Sequence, residues 1–369
     1  MTFMVPPLGV QGKLKRRILS LMNITKNVPL SQYSTMRLGG NAAYAVGVSS
    51  RQEIVQAYNW AQERQLPTQI VGSGSNIIWR DEDFPGLLIV NQLRGFETLE
   101  EPDSTNVIVT IAAGENWDKV VERCVQAGLS GIECLSLVPG TAGATPIQNV
   151  GAYGQDISQT LVYVEAYDTA TGGFATIPAA DCAFGYRMSR FKGTDRGRFF
   201  IYSVALRLTH AIPQPPFYNA LQSYLDEHNI REYTPRALRN AVIAIRSSKL
   251  PNPNIVANNG SFFANPIVEP AVFEGIAAQY PSMDAVPHWP TADGLVKLSA
   301  AWLLDQTGFK DFHDPETGMA TWPAQPLVLV NEKATSTKDL LIFRQKILDA
   351  VQTKFGIVLE QEPELLPIL

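Results

Sequence analysis

The sequence predicts an α+β fold. Three observations carry this: strand-like alternation and helical periodicity both occur, the strands gather before about residue 210, and the two do not alternate as a regular strand–helix array. Along the 369 residues, 1–27 read as a poorly ordered N-terminal extension. Residues 43–48 (AYAVGV) alternate as a strand. Ser50-Arg51-Gln52-Glu53 has the form of a capping box, and Ile54, Val55, Tyr58 and Ala61 follow at helical spacing. Residues 68–71 return to strand, ending in Gly72-Ser73-Gly74-Ser75-Asn76 and an apolar stretch to Trp79. Strands are expected at 87–91 and 107–112. A helix fits 116–129, where Trp117, Val120, Val121, Cys124 and Val125 share one face and Gly128 stands near the end. A long glycine-rich loop, 137–154, precedes strands at 160–168 and 199–208. Prolines at 213, 215 and 216 mark a domain boundary. Beyond it, 235–247, 299–308 and 337–355 read as helices and 327–331 as a strand. The last helix keeps Leu340, Leu341, Arg344, Ile347, Leu348 and Val351 in register and stops at Gly356.

Composition narrows the function classes. Hydrophobic residues make up 45% and charged residues 18%, an ordinary globular balance. A formal net charge of −5 argues against nucleic acid, which needs clustered Lys and Arg, but leaves room for a local basic pocket. No apolar run approaches the roughly 20 residues that would span a bilayer. The basic cluster at Lys13, Lys15, Arg16 and Arg17 is followed by too few apolar residues for a secretory signal, so a cytoplasmic protein is expected. Three cysteines (Cys124, Cys134, Cys182) without a Cys-x-x-Cys pair suit reduced thiols. The four histidines lack metal-ligand spacing, and no metal is expected.

Four segments carry chemistry. The loop Gly72-Ser73-Gly74-Ser75-Asn76 follows a strand, where backbone N–H groups can cradle a pyrophosphate; it is neither a Walker loop nor a full Rossmann fingerprint, and alone it reads as a flexible turn. The second, 139–154, is PGTAGATPIQNVGAYG, with four glycines, two threonines and the amides of Gln148 and Asn149. A plain surface loop has little use for Ile147, Val150 and Tyr153 among its glycines. Two such loops with a helix between them suit a dinucleotide such as FAD. In the third, FGYRMSRFK, aromatic neighbours could hold the planar fork of Arg187 against a carboxylate or a flavin edge; a solvated basic strand end is the plainer alternative. In the fourth, NNGSFFANP, Ser261 stands beside two phenylalanines. No Gly-x-Ser-x-Gly elbow is present, so a hydrolase triad is disfavoured, and a proton-relay role needs neighbours that support it.

Together these segments resemble one family, the UDP-N-acetylenolpyruvoylglucosamine reductases. The similar stretches are STMRLGGNA (34–42), VGSGSNII (71–78), AAGENWDKVV (112–121), PGTAGATPIQNVGAYG (139–154), FGYRMSRFK (184–192), KLPNP (249–253), NGSFFANP (259–266) and LVLVNEKA (327–334). The resemblance implies a two-subdomain FAD-binding module of the vanillyl-alcohol-oxidase type, 28–212, divided near residue 92, and a C-terminal α+β substrate domain, 213–369. It implies reduction of UDP-N-acetylenolpyruvoylglucosamine to UDP-N-acetylmuramate, with NADPH reducing FAD, in peptidoglycan precursor synthesis. A monomer without nucleic-acid or membrane partners is expected.

Residue by residue, the resemblance makes Ser261 the proton donor to C2 and Arg187 the clamp on the substrate carboxylate. Glu362 shares that role, with Glu360 and Glu364 as neighbouring alternatives; relatives usually carry Arg where Glu364 stands. Cofactor contacts are implied for Gly72, Ser73, Gly74, Ser75 and Asn76, and for Pro139, Gly140, Thr141, Gly143, Ala144, Thr145, Gln148, Asn149, Gly151, Ala152, Tyr153 and Gly154. Substrate contacts are implied for Tyr186, Lys249, Asn265 and Gln325. Tyr218, in PPFYNAL, resembles the tyrosine of a substrate-closing loop and suggests the longer subclass of the family. Two other readings remain beside this one: an FAD oxidase of a small alcohol, and a flavin-binding protein without activity.

Overall fold

The computed structural model describes residues 22–367 apart from 103, 283 and 284. The expected extension, 1–27, lies outside the described residues up to 21. Its last residues are a strand, Thr25–Pro29, so regular structure begins earlier than expected.

The first sheet has the order Thr25–Pro29, Asn41–Val48, Phe84–Asn91, Thr68–Val71. Its outer pair is antiparallel and the rest parallel. The helix Arg51–Gln62 connects two of these strands and buries Ile54, Ala57 and Ala61. Ser50 Oγ caps it by accepting from Glu53 N, but the box is not reciprocal: the Glu53 carboxylate accepts from Ser49 N at 2.6 Å instead. The second sheet is antiparallel throughout, in the order Gly173–Pro178, Leu161–Asp168, Phe199–Thr209, Asn106–Ala112, Phe96–Glu100. Val46 and Ile89 of the first sheet share one core with Val109, Ile111 and Val164 of the second, sealed by Trp117 and Val121 of the helix Trp117–Gln126.

A third sheet, Ala257–Ser261, Gln325–Asn331, Met319–Trp322 and His313–Asp314, carries the helices Ala300–Gln306 and Thr337–Phe355. Phe262, Phe263, Leu303, Leu329 and Phe343 fill the core between them. Each such side chain contributes about 1.5–3 kcal/mol by leaving water. Met36, Leu38 and Ile78 join the same core, and the final strand Glu364–Leu366 pairs in parallel with Ile77–Trp79. The chain end is thereby stitched to the chain start, which brings the third sheet against the 72–76 loop.

The helices Asn219–Glu227 and Pro235–Lys249 lie beyond the three prolines, yet they pack on the first part of the chain. Leu221, Leu225, Leu238 and Val242 enclose Cys134, and Arg239 clamps Asp118 at 2.7 Å in a largely buried ion pair. Among the described residues no helix is long and apolar enough to cross a membrane. Cys124, Cys134 and Cys182 are buried and unbridged.

Candidate active site

A cavity of about 400 Å³ opens where the two glycine loops meet the 184–198 segment, the third sheet and the chain end. All of Gly72, Ser73, Gly74, Ser75 and Asn76 line it, with Pro139, Gly140, Thr141, Gly143, Ala144, Thr145, Gln148, Gly151 and Ala152 from the second loop. The glycines stand where neighbouring chain comes too close for a side chain. A Cβ on Gly72 would stand 2.5 Å from Thr141 Oγ1. On Gly74, at φ +71°, it would stand 2.1 Å from the Tyr33 carbonyl oxygen, and on Gly143 2.4 Å from Ala113 Cβ. Ser75 Oγ donates to the Pro139 carbonyl at 3.1 Å, tying one loop to the other.

The proposed chemical residues converge on the same cavity from three separate segments. Arg187 sits at φ +55° in a tight turn closed by Gly185 and Met188, an uncommon conformation for a non-glycine residue. Its Nη2 donates to the Gly151 carbonyl at 2.9 Å, and its Nε lies 3.3 Å from Glu362 Oε1. Ser261 ends the strand Ala257–Ser261, just after Gly260 at φ +72°. The chain end runs alongside: Ala264 N donates to the Glu360 carbonyl and Glu362 N to the Phe262 carbonyl, both at 2.9 Å. This ladder decides which carboxylate meets Arg187. Glu362 faces Arg187, Glu360 is exposed, and Glu364 pairs with Arg196 at 2.7 Å.

A polar relay joins loops and chain end: Asn76 Nδ2 donates to Gln148 Oε1 at 2.7 Å, and Gln148 Nε2 to Glu362 Oε1 at 3.5 Å. Burial pushes the Glu362 carboxyl above its ordinary value, against the opposing charges of Arg187 and Lys192. Tyr186 and Asn265 also line the cavity, and the Tyr186 ring lies 5.3 Å from the Arg187 guanidinium.

Other expected contacts lie elsewhere. Asn149 is buried and turned into its own loop, accepting from Ser158 N and donating to the Gly185 carbonyl. Tyr153, Gly154 and Tyr218 line a neighbouring cavity of about 340 Å³, where Tyr218 meets Tyr153 edge-on at 6.0 Å. Lys249 is exposed at the end of its helix, and Gln325 opens its strand away from the main cavity. Sequence reasoning missed Arg196, Arg246 and Asn259, which do line it. Asn259 is the least legible: its Nδ2 donates into the 72–76 loop region, to the Ser75 and Ile77 carbonyls, and its Oδ1 is buried without a partner.

The residues fit an elongated nucleotide such as FAD. Both glycine loops line the cavity with little side-chain bulk, and the hydroxyl-bearing Ser73, Ser75 and Thr141 stand among their glycines.

Comparison with known proteins agrees with this geometry. Residues 42–177 match the family described as FAD binding domain, and 252–366 match the C-terminal domain of UDP-N-acetylenolpyruvoylglucosamine reductase. The chain is 36% identical over 336 residues to the UDP-N-acetylenolpyruvoylglucosamine reductase of Escherichia coli (strain K12), covering 91% of this chain and 95% of that one. It is 38% identical over 337 residues to that of Ralstonia nicotianae, covering 91% and 97%. The crystal structure of the Thermus caldophilus reductase superposes with a TM-score of 0.63 at 23% identity, over 94% of this chain and 100% of that one, and so shares the fold. The chain therefore belongs to the UDP-N-acetylenolpyruvoylglucosamine reductase family and is an FAD-dependent oxidoreductase of cell-wall precursor synthesis.

Proposed function

We propose that the chain reduces UDP-N-acetylenolpyruvoylglucosamine to UDP-N-acetylmuramate at the expense of NADPH, with Ser261, Arg187 and Glu362 as its chemical residues. The observation that carries this is the meeting of the three, from remote segments, at a cavity walled by both glycine loops. Bound FAD supplies hydride transfer, from the nicotinamide to the enolpyruvyl double bond.

The protein residues do the rest. The loops at 72–76 and 139–145 hold the cofactor through main-chain N–H groups and hydroxyls. Arg187 binds the substrate carboxylate and steadies the negative charge that builds there as the double bond is reduced, and Glu362 shares that role as the protonated acid that burial favours, donating a hydrogen bond. The left-handed turn and the Gly151 hydrogen bond aim its fork before substrate arrives. Ser261 delivers the proton to C2 from a strand end whose neighbour, Phe262, is fully buried. Tyr186 and Asn265 orient the substrate, and Lys249, Gln325 and Tyr218 engage the UDP-sugar from the rim. Tyr218, exposed and beside the prolines, closes over the ligand as the longer subclass does. The cofactor module, 28–212, and the substrate domain, 213–369, are thus a functional division. The helices from 219 to 249 pack on the module yet present Tyr218 and Lys249 to substrate. A monomer in the cytoplasm completes this reading, the compartment supported by buried, unbridged cysteines.

The test is a visible spectrum of the purified protein before and after NADPH, then after UDP-N-acetylenolpyruvoylglucosamine without oxygen. The flavin band bleaches with NADPH and returns with that substrate. Flavin that bleaches but ignores the substrate would move the reading to an oxidase.

A further inference from the structure

Ser261 stands at an irregular strand end. Where Ala257–Ser261 pairs with Gln325–Asn331, Asn258 faces Val330 and Ser261 faces Val328. Three steps on one strand (261 − 258) therefore oppose two on the other (330 − 328). The extra residue makes a bulge at Asn259 and Gly260, a device that re-aims the side chain beside it. Packing does not hold the bulge at Gly260, where a Cβ would meet nothing within 4 Å. A serine hydroxyl chooses only among staggered χ1 positions, so its aim follows the backbone that carries it. The bulge needs a fastening of its own.

Two buried asparagines supply it. Asn258 closes the turn on itself: its Oδ1 accepts from Gly260 N at 2.9 Å and its Nδ2 donates to the Val256 carbonyl at 2.8 Å. Asn259 reaches outward. Its two N–H bonds are shared among Thr35 Oγ1 at 3.1 Å, the Ile77 carbonyl at 3.2 Å and the Ser75 carbonyl at 3.3 Å. Thr35 completes the joint, its carbonyl accepting from Asn258 N and its N–H donating to the Gly74 carbonyl, both at 3.1 Å. Gly74, Ser75 and Ile77 line the same cavity as Ser261. One amide thus joins the strand end that carries Ser261 to the loop assigned to the cofactor.

Building on the reading of Ser261 as proton donor, we infer that Asn259 is a positioning residue: its amide sets where the Ser261 hydroxyl stands relative to a cofactor held by the 72–76 loop. It acts through Ser261 and not on the cofactor. Asn259→Ala removes the joint but leaves the loop tied elsewhere, by Ser75 Oγ to the Pro139 carbonyl and by Glu364 N to the Asn76 carbonyl. Asn259→Ala, Ser261→Ala and the double variant are compared with wild type in FAD-loaded protein. Flavin bleaching by NADPH is followed by stopped flow, product formation in a single turnover and at steady state, and FAD affinity by titration.

A reacting group misplaced by an ångström slows chemistry by up to about 100-fold. Asn259→Ala forms product about 10- to 100-fold more slowly, while bleaching, FAD affinity and the KM for substrate stay near wild type. In the Ser261→Ala background the same substitution adds no further loss, because two residues acting on one step are not additive. Asn259→Ser keeps one donor and falls between, and it carries the comparison should the alanine variant not fold. An equal loss in both backgrounds would overturn the inference, since the amide would then act apart from Ser261. So would a fall in FAD affinity with turnover restored by excess FAD, or product formed at the wild-type rate. A Ser261→Ala variant that turns over like wild type would instead sink the proton-donor reading on which the inference rests.

Discussion

The two walls of the cavity are built by different means. The glycine-loop wall is made by fit: Gly72, Gly74 and Gly143 lie so close to Thr141, Tyr33 and Ala113 that no side chain can be added. The opposite wall is made by long-range pairing and charge. Ser261 and Glu362 stand 101 positions apart (362 − 261) and are aligned by a short ladder, with Phe262 N donating to the Leu327 carbonyl and Glu362 N to the Phe262 carbonyl. Arg187 and Arg196 then hold the chain end through Glu362 and Glu364. The difference assigns separate jobs. On the proposed roles, changes in the first wall alter whether a ligand fits, and changes in the second alter what happens to it.

The strongest test of that split is Ser261→Ala. Removing a positioned proton donor slows substrate reduction by about 10²–10⁴-fold. Bleaching of the flavin by NADPH, followed by stopped flow, keeps the wild-type rate, because that half-reaction uses no proton from Ser261. If bleaching slowed as much as turnover, the serine would belong to cofactor binding and the division between the walls would fail.

Gly74→Ala probes the other wall. The new methyl meets the Tyr33 carbonyl oxygen at 2.1 Å, and φ is +71°, so the loop must shift. The strain costs roughly 1–3 kcal/mol, which appears as a lower melting temperature and an FAD affinity reduced by about tenfold or more. Turnover recovers when FAD is added in excess, the opposite of the Ser261→Ala pattern. A variant that holds FAD and melts like wild type would show the loop to be looser than its contacts imply.

The same contrast explains what could be read from the sequence. The fit-built wall was legible only in part: the 72–76 loop alone reads as a flexible turn, and the pair of glycine loops together points to a dinucleotide. The charge-built wall was legible only through resemblance, and its register stayed open until the Phe263–Gln361 bridge placed Glu362 on Arg187. Asn149 looked like a ligand donor by composition, but its amide is consumed inside the loop. Arg246 looked like any basic residue near a helix end, because nothing in one sequence says that a side chain lines a cavity built by distant loops. Among the elements, Phe96–Glu100 escaped notice as a mostly exposed edge strand, and Ala257–Ser261 because ANNGS reads as a turn. The latter becomes a strand only against Gln325–Asn331, a partner 68 positions along (325 − 257).

The smallest expected effect belongs to a charge pair that lies outside both walls. Asp168 ends the strand Leu161–Asp168 and accepts from Arg198 Nε and Nη2 at 2.9 and 2.8 Å, with Arg198 Nη1 also reaching Asp195. This holds the Asp168 carboxyl at about 2, against an ordinary 3.8. A depressed carboxyl stabilises the fold above its ordinary value, and that stability is lost as pH falls toward the folded one. Because the Arg198 side chain is 40% exposed, solvent screens the pair, and Asp168→Asn costs on the order of 1–2 kcal/mol at neutral pH. Urea unfolding should show that deficit unchanged at pH 7 and pH 5, shrinking below pH 4, and gone near pH 2. FAD affinity and both half-reactions stay at wild-type levels, since neither residue faces the main cavity. A loss of turnover in Asp168→Asn at saturating FAD would show that the second sheet transmits strain to Arg187. The charge-built wall would then rest on the stability of the module and not only on its own ladder.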